Sequence, residues 1–277
     1  MYAAIDFGIS NIDAVARVGG ELRRWTIPAQ GAPSPELAGQ VLVEGGVSLT
    51  DTRRLAVTGG RHQELPATIG GCEVVGVGEV QAIGRGGQAL LELAGGPAGA
   101  DALVVSAGSG TAVVSARGGQ YAHVTGSAVG GGTLLGLARL LLGAADPGEI
   151  DALARSGDPN GVDLNLGDVV GGPIGRLPAY ATAVNFGRLA RQPTDVRRED
   201  LAAALVTLVG QVIAVTAINA ARAQRLDHVL VIGHLTDMPS VRGVLELVGD
   251  WYGMPLTLPT QAGYGTALGA LYSLDNA

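Results

Sequence analysis

The residues of this chain most able to do chemistry lie in two short turns that contain glycine. The first is Asp6-Phe-Gly8-Ile-Ser10, which comes at the end of an apolar segment, residues 2–6. A carboxylate at a strand end can hold a hydrated Mg²⁺ beside a polyphosphate, and turn amides together with a hydroxyl suit phosphate oxygens. The alternative is an ordinary hairpin in which Asp6 only forms the turn.

The second turn is Ser106-Ala-Gly108-Ser109-Gly110-Thr111, again between two apolar segments. A strand follows it and not a helix, so it is not a dinucleotide-binding fingerprint. Its exposed amides suit phosphate oxygens. Because it is the counterpart of the first turn, the two predict a phosphate clamp across a cleft, as in actin-like ATPases.

Two further features suggest a site. The glycines Gly130, Gly131 and Gly132 precede an amphipathic helix, whose free N-terminus can face an anion. A tight helix entry with close packing is the alternative. Glu79 begins another predicted helix and is a further candidate for chemistry, although glutamates also occur at helix starts because of the helix dipole. The four histidines lack metal-site spacing and are interpreted as structural. These are His62, His123, His228 and His234.

Composition excludes several classes of protein. All 18 basic residues are arginine, so a Walker A site, which needs lysine, is excluded. A single cysteine, Cys72, excludes a disulfide framework and a multi-cysteine metal cluster. A net charge of -7 and 4% aromatic residues argue against nucleic-acid binding. The apolar stretches are interrupted and are expected to be too short to cross a membrane, so we expect a cytoplasmic protein.

Elements that alternate between strand and helix must position these residues. Strands are predicted at 2–6, 14–18, 21–27, 54–58, 101–106, 111–116, 227–232 and 255–258, and helices at 35–43, 79–93, 147–156, 198–224, 240–252 and 265–274. Each half opens with a strand, a glycine turn and a second strand, and residues 95–100 separate the halves. This pattern predicts an α/β fold with domains at 1–95 and 96–277 and ligands at the carboxyl ends of the strands.

Taken together, these residues resemble the type II pantothenate kinases over nearly the whole chain. The strongest match is residues 124–137, Val-Thr-Gly-Ser-Ala-Val-Gly-Gly-Gly-Thr-Leu-Leu-Gly-Leu. The other matching segments are Asp6 to Ser10, Thr58-Gly59-Gly60, Glu79 ahead of Gly86, Gly108 to Thr111, residues 156–164, residues 183–187, residues 231–233 and residues 263–271.

The resemblance implies an actin-like (ribonuclease H-like) fold of duplicated domains, with the nucleotide in a cleft between them. It implies an ATP-dependent kinase that uses Mg²⁺ and phosphorylates pantothenate or a similar small alcohol, in the first step of coenzyme A biosynthesis. It also implies a homodimer through the long apolar helix. The roles it implies are as follows: Asp6 at the metal and Glu79 as base; Gly8, Ser10, Gly108, Ser109, Gly110, Thr111, Gly130, Gly131, Gly132 and Gly233 at the nucleotide; His123, Ser127 and Tyr264 at the acceptor.

Two positions depart from the family pattern and leave the acceptor open. Asp13 replaces a lysine that follows the first loop, and His123 replaces an arginine that meets the pantothenate carboxylate. A nearby arginine, Arg85, Arg139 or Arg176, could supply that charge. Two alternatives therefore remain. One is an ATP-driven activator of the same fold, which usually needs cysteines for an iron-sulfur cluster. The other is a nucleotide-binding protein without transfer activity.

Overall fold

The computed structural model describes residues 1–191 and 195–276. Its first half contains, in chain order, β1 (Tyr2–Phe7), β2 (Asn11–Val18), β3 (Glu21–Pro28), α1 (Pro35–Glu44), β4 (Arg54–Gly59), β5 (Thr68–Ile69), β6 (Cys72–Gly76) and α2 (Glu79–Leu93). Local chemistry fixes the start of α1, since the Ser34 hydroxyl accepts the Leu37 N–H at 3.1 Å and Pro35 occupies the first turn.

The first sheet has the strand order β3-β2-β1-β4-β6-β5. The strands β1, β2 and β3 are antiparallel neighbours, and β1 pairs in parallel with β4. Side chains alternate between the two faces of β1. Ala3, Ile5 and Phe7 join the core under α1, whereas Ala4 faces the centre of the molecule. The near-continuous apolar sequence of β1 therefore reflects burial on both faces.

The second half contains a second sheet with helices on both faces. Its elements are β7 (Ala102–Ala107), β8 (Thr111–Arg117), β9 (Gln120–Ser127), α3 (Gly131–Leu142), α4 (Pro147–Arg155), β10 (Leu164–Asn165), α5 (Leu166–Val170), β11 (Thr182–Val184), α6 (Gly187–Arg191), α7 (Arg198–Gln224), β12 (Val229–Ile232), α8 (Pro239–Tyr252), β13 (Leu256–Thr257) and α9 (Gly265–Ser273). The strand order is β13-β12-β7-β8-β9, and β10 and β11 form a separate small ribbon.

The two sheets are built on one plan. In each, three antiparallel strands are followed by two parallel ones, so β3-β2-β1-β4-β6 corresponds to β9-β8-β7-β12-β13. The predicted α/β fold with duplicated halves is therefore confirmed. The carboxyl ends of β1 and β7, which carry the two glycine turns, occupy equivalent places in their sheets.

Helices α2 and α9 form the layer between the sheets. They pack closely on each other, because a Cβ at Gly86 would overlap the Gly265 carbonyl and one at Gly269 would overlap the Ala82 carbonyl. Each helix also packs on the sheet of the other half of the chain. Helix α2 of the first half contacts β7, β8 and β9, and helix α9 of the second half contacts β1, β2 and β4. Residues 94–101 separate α2 from β7, but the division into domains 1–95 and 96–277 stays a prediction.

Helix α7 corrects one expectation about membranes. Its 27 residues are long and apolar enough to cross a bilayer, contrary to the prediction that no stretch is. However, 67% of its most apolar window is buried within the protein. The helix packs against α3, α4 and α8, and residues such as Leu205, Val209 and Ile213 are fully buried. Its apolar composition is that of a core helix.

Candidate active site

A cavity of about 500 Å³ lies between the two halves, at the carboxyl ends of β1, β4, β7 and β12. It is the place where ligands bind in open α/β sheets. Most of the predicted site residues line it: Asp6, Gly8, Ser10, Glu79, Gly108, Ser109, Gly110, Thr111, Ser127, Gly131, Gly132 and Gly233. Residues from distant parts of the sequence thus meet in one space.

Asp6 is held at the cavity floor by its neighbours in the first sheet. It pairs with Asp13 across the β1–β2 ladder and with Thr58 across the β1–β4 ladder. Gly59 has a φ of 84°, and a Cβ there would lie 2.5 Å from the Asp6 carboxylate. A side chain at position 59 would therefore be strained and would collide with the carboxylate. The glycine leaves the space that the Asp6 carboxylate occupies.

Burial in this acidic surrounding raises the pKa of Asp6 to about 7, with the charges of Asp13 and Glu79 adding to the effect and that of His234 opposing it. Desolvation is the larger cause, and both act by destabilising the ionised carboxylate. Such a group is favoured to ionise when a cation arrives, because the cation offsets both penalties.

The two glycine turns touch across the cleft. The Ser10 and Ser109 hydroxyls are 2.9 Å apart and share a hydrogen bond. The backbone of the second turn is tightened by the Gly108 N–H, which donates to the Gly110 carbonyl at 3.0 Å. The two turns therefore meet across the cleft, and their role as a phosphate clamp stays a prediction.

The glycines before α3 act differently from the prediction. The Gly131 N–H donates to the Gly108 carbonyl at 2.8 Å, and the Gly132 N–H donates to the Ser109 carbonyl at 2.9 Å. A Cβ at Gly130 would lie 2.8 Å from the backbone of Gly110. The start of α3 is thus not a free N-terminus for an anion: its amides brace the second turn, and Gly130 permits the close approach.

Two hydroxyls near the second turn also make internal hydrogen bonds. Buried Thr111 donates to the Val129 carbonyl at 2.8 Å, and the Ser127 hydroxyl accepts the Val129 N–H at 3.0 Å. Both residues line the cavity, but these bonds fix the backbone that leads from β9 into α3. They give the second turn a rigid support.

Glu79 is exposed at the first position of α2 and lines the cavity. It is close enough to Asp6 for its charge to raise the pKa of that carboxyl. The two glycine turns line the same cavity, as do Gly59 and Gly60. Its location suits a group that meets a second molecule beside the phosphates.

One residue of the site was not found from the sequence. His234 follows β12 and lines the cavity. Its Nε2 lies 2.8 Å from Asp13 Oδ1, and its Nδ1 lies 2.6 Å from Asp237 Oδ2. Burial alone would lower the pKa of His234, but the hydrogen bonds and charges of Asp13 and Asp237 raise it to about 10. The available signal was its place directly after Gly233, at a strand end.

Part of the cavity wall is apolar. Its side chains come from α3, the start of α4 and the segment after β12, and they are Leu134, Leu135, Pro147, Leu235 and Met238. A cavity wall with both polar and apolar side chains suits a ligand with an anionic part and a flat or apolar part.

Other predicted residues lie outside the cavity lining. His123 is exposed on β9, and Tyr264 packs edge-on against the His234 ring with 5.5 Å between centroids. Among the three arginines considered for an acceptor carboxylate, Arg85 pairs with Glu92 at 3.0 Å and Arg176 donates to the Asp250 carbonyl. Arg139 is exposed on α3. The geometry gives none of these five residues a place in the cavity wall.

Comparison with known proteins shows the family. The model of the Fumble family matches residues 101–272, more than half of the chain. A type II pantothenate kinase of Bacillus cereus is 26% identical over 229 residues, covering 82% of this chain and 83% of that protein. Pantothenate kinase 1 of Oryza sativa subsp. japonica is 33% identical over 184 residues, covering 63% of this chain and 28% of that protein.

Solved structures confirm the fold. The activator of the 2-hydroxyisocaproyl-CoA dehydratase from Clostridium difficile with bound ADPNP has a TM-score of 0.67 at 15% identity, covering 99% of this chain and 94% of that chain. The ROK hexokinase from Thermus thermophilus has a TM-score of 0.55 at 14% identity, covering 100% and 99%. The shared architecture is that of the actin-like ATPases.

Proposed function

Because the chain belongs to the Fumble family of type II pantothenate kinases, we propose that it transfers the γ-phosphoryl group of ATP to the hydroxyl of pantothenate. The observation that carries the proposal is the cavity, where Asp6, Glu79 and both glycine turns meet. Positioning and charge neutralisation are what phosphoryl transfer requires of a protein. The reaction is the first step of coenzyme A biosynthesis.

Asp6 fits a role at the metal ion. It is a carboxylate at the cavity floor whose pKa is raised by burial and by two neighbouring carboxylates, so a divalent cation would meet excess negative charge there. Mg²⁺, when bound, would offset charge on the phosphate oxygens. Asp6 would hold it directly or through water, beside the amides of the first turn.

Glu79 suits the role of general base. In the proposed step, its carboxylate takes the proton of the acceptor hydroxyl as the acceptor oxygen forms a bond to the γ-phosphorus. The bond between that phosphorus and the β–γ bridging oxygen breaks, and ADP leaves with the bonding electrons. The two glycine turns hold the phosphates in place, and the apolar part of the cavity wall takes the nucleoside.

A coupled kinase assay tests the proposal. We expect ADP release that depends on pantothenate and on Mg²⁺. Pantetheine, which lacks the carboxylate, and a panel of small alcohols serve as comparison acceptors. Turnover of another alcohol with inert pantothenate would assign a different acceptor. Hydrolysis without any acceptor would favour an ATP-driven switch, and nucleotide binding without turnover would mean that transfer activity is lost.

The acceptor carboxylate is the least constrained part of the proposal. We keep His123, Ser127 and Tyr264 as the predicted acceptor residues, and only Ser127 lines the cavity. A His123→Arg variant separates the alternatives, because a guanidinium binds a carboxylate through two charged hydrogen bonds. Tighter pantothenate binding in that variant supports a place for residue 123 at the acceptor, whereas unchanged binding removes it from the site.

We further propose that the protein is cytoplasmic and that it forms a homodimer. The buried packing of α7 supports the first part, since the most membrane-like helix is a core element. The second part rests on the family resemblance. It draws support from apolar side chains of α7 that remain only half-buried.

A further inference from the structure

Both ring nitrogens of His234 contact carboxylates, one from each half of the molecule. Its imidazole joins the two halves of the molecule, since it follows β12 in the second half and contacts Asp13 on β2 in the first. Asp237 contacts the other ring nitrogen. Asp13 is itself fixed by the Thr26 hydroxyl, which donates to Oδ1 at 2.6 Å. The ring is therefore held from both sides.

Both ring nitrogens donate a hydrogen bond when Asp13 and Asp237 are ionised. Each faces a carboxylate oxygen within 2.8 Å, and an ionised carboxylate only accepts hydrogen bonds. The ring that satisfies both contacts is the imidazolium, which carries a full positive charge.

The fold makes room for this ring. Gly233 has a φ of 104°, and a Cβ there would lie against the backbone of Ala107. A Cβ at Gly263 would overlap the imidazole itself. Tyr264 then packs edge-on against the ring. Two glycines leave space for the histidine at the cavity wall, and an aromatic side chain packs against it. An ion pair at the protein surface does not need such packing.

Across residues 1–191 and 195–276, the side chains that line the cavity are mostly neutral or acidic. Its acidic side chains are Asp6, Asp13 and Glu79, and within the described part of the chain His234 is the one cationic side chain that lines it. The sequence has no lysine. A nucleotide polyphosphate placed between the glycine turns would face three carboxylates, and the positive side chain available to it in the cavity wall would be this imidazolium.

We propose that His234 is the cationic side chain that binds the polyphosphate of the nucleotide, reaching it from the half of the chain opposite to Asp6. The proposal rests on the proposed function, since it assigns a residue to the same nucleotide site. Asp13 lines the cavity but Asp237 does not. The N–H that passes to a phosphate oxygen is therefore Nε2–H, which donates to Asp13 here, while Asp237 keeps the ring oriented through Nδ1–H.

A pair of variants isolates this contact. His234→Gln alone leaves Asp13 without its charged partner and can fail to fold for that reason. Asp13→Asn and Asp13→Asn/His234→Gln avoid the problem, because neither contains an unpaired Asp13 carboxylate. His228→Gln is the matched control, since His228 is exposed and directly precedes the same strand, β12.

The experiment is calorimetric titration of each protein with Mg-ADPNP, Mg-ADP and adenosine. We expect Asp13→Asn to bind both polyphosphates at least about tenfold more tightly than the double variant, as for one hydrogen bond to a charged group. Adenosine affinity should be equal in the two. His228→Gln should match the wild type throughout. Equal polyphosphate affinity in the two variants, or an equal loss for adenosine, would overturn the proposal.

The kinase assay on the same wild-type sample keeps the two proposals apart. Inert pantothenate with a His234-dependent polyphosphate affinity contradicts the proposed function and leaves His234 at the phosphates. Pantothenate turnover together with a polyphosphate affinity that does not depend on His234 supports the proposed function and contradicts the role of His234. A wild type that binds no nucleotide overturns both.

Discussion

At the scale of single residues, the site contains an ionisable group whose burial lowers the stability of the folded protein and whose position suits metal binding. Asp6 is the clearest case, because burial and two carboxylates raise its pKa to about 7. A carboxyl whose pKa is higher in the folded than in the unfolded state binds its proton more tightly when folded. The free energy of unfolding therefore falls as the pH rises from about 4 to about 7.

Asp6→Asn should remove this cost. We expect the variant to unfold at nearly the wild-type free energy at pH 4 and to be more stable by about 1–3 kcal/mol at pH 8, without Mg²⁺. Urea denaturation at the two pH values measures both. The same variant should lose most of its Mg-ATP affinity. A variant that is no more stable at pH 8 than the wild type contradicts the burial cost, and unchanged Mg-ATP affinity contradicts the metal role.

Glu79→Gln keeps the shape of the side chain and removes its ability to accept a proton. We expect it to fold and to bind Mg-ATP with wild-type affinity, while kcat falls by roughly 10²-fold or more. Calorimetry and the coupled assay measure the two quantities on one preparation. Turnover close to that of the wild type would return Glu79 to a simple helix-start residue.

At the scale of elements, the crossing of α2 and α9 sets the distance between the two sheets. Each helix presents a glycine, Gly86 or Gly269, where the backbone of the other comes close. Both helices bury apolar side chains against both sheets: Ala82 and Ala267 pack with the first sheet, and Ile83 and Leu268 pack with the second. The contact therefore aligns the first glycine turn with the second, which lies on the other sheet.

Gly269→Ala tests the crossing. The added methyl would meet the Ala82 carbonyl, so we expect the helices to move apart and the free energy of unfolding to fall by about 1–3 kcal/mol. Gly136→Ala on α3 is the control, because a Cβ there meets nothing within 4 Å, and it should be neutral or stabilising by up to about 1 kcal/mol. Chemical denaturation of both gives the comparison. Equal effects would show that the crossing tolerates a side chain.

At the scale of the whole molecule, most of α7 is enclosed by its own chain. Leu201, Leu208, Val212 and Val215 are half-buried, and their spacing of three, four and seven residues places them on one face of the helix. A second copy of the chain could cover this apolar stripe. The stripe is where the proposed homodimer has its support.

Val212→Arg should therefore give a monomer, since a charged side chain in an apolar interface lacks a partner. Light scattering with size-exclusion chromatography measures the mass of the wild type and the variant, and a cooperative unfolding transition shows that the variant is folded. Leu140→Arg changes an exposed leucine on α3 and should leave the wild-type mass unchanged. If Leu140→Arg gives the monomer and Val212→Arg does not, the interface lies elsewhere.

Most of the longer elements and the positions of the two glycine turns could be predicted from the amino-acid sequence. Periodic apolar segments and local caps, such as Ser34 before α1, act over a few residues, so α1, α2, α7 and α8 begin or end within a residue or two of where they were predicted. The order of those elements was enough for the duplicated α/β fold, and the motif spacing was enough for the family. The ribbon of β10 and β11 was missed, because two- and three-residue strands carry little pattern.

The contacts of the side chains and amides in the site depend on how distant segments pack together. Asp13 and His234 are 221 residues apart in the sequence. No local sequence pattern indicates that these two side chains are in contact. The amides of Gly131 and Gly132 were predicted to face an anion. They donate hydrogen bonds to carbonyls of the second turn instead, because those carbonyls lie within hydrogen-bond distance. His123 was predicted at the acceptor and lies exposed outside the cavity wall, because the direction of a side chain depends on how the sheet is seated against the rest of the fold.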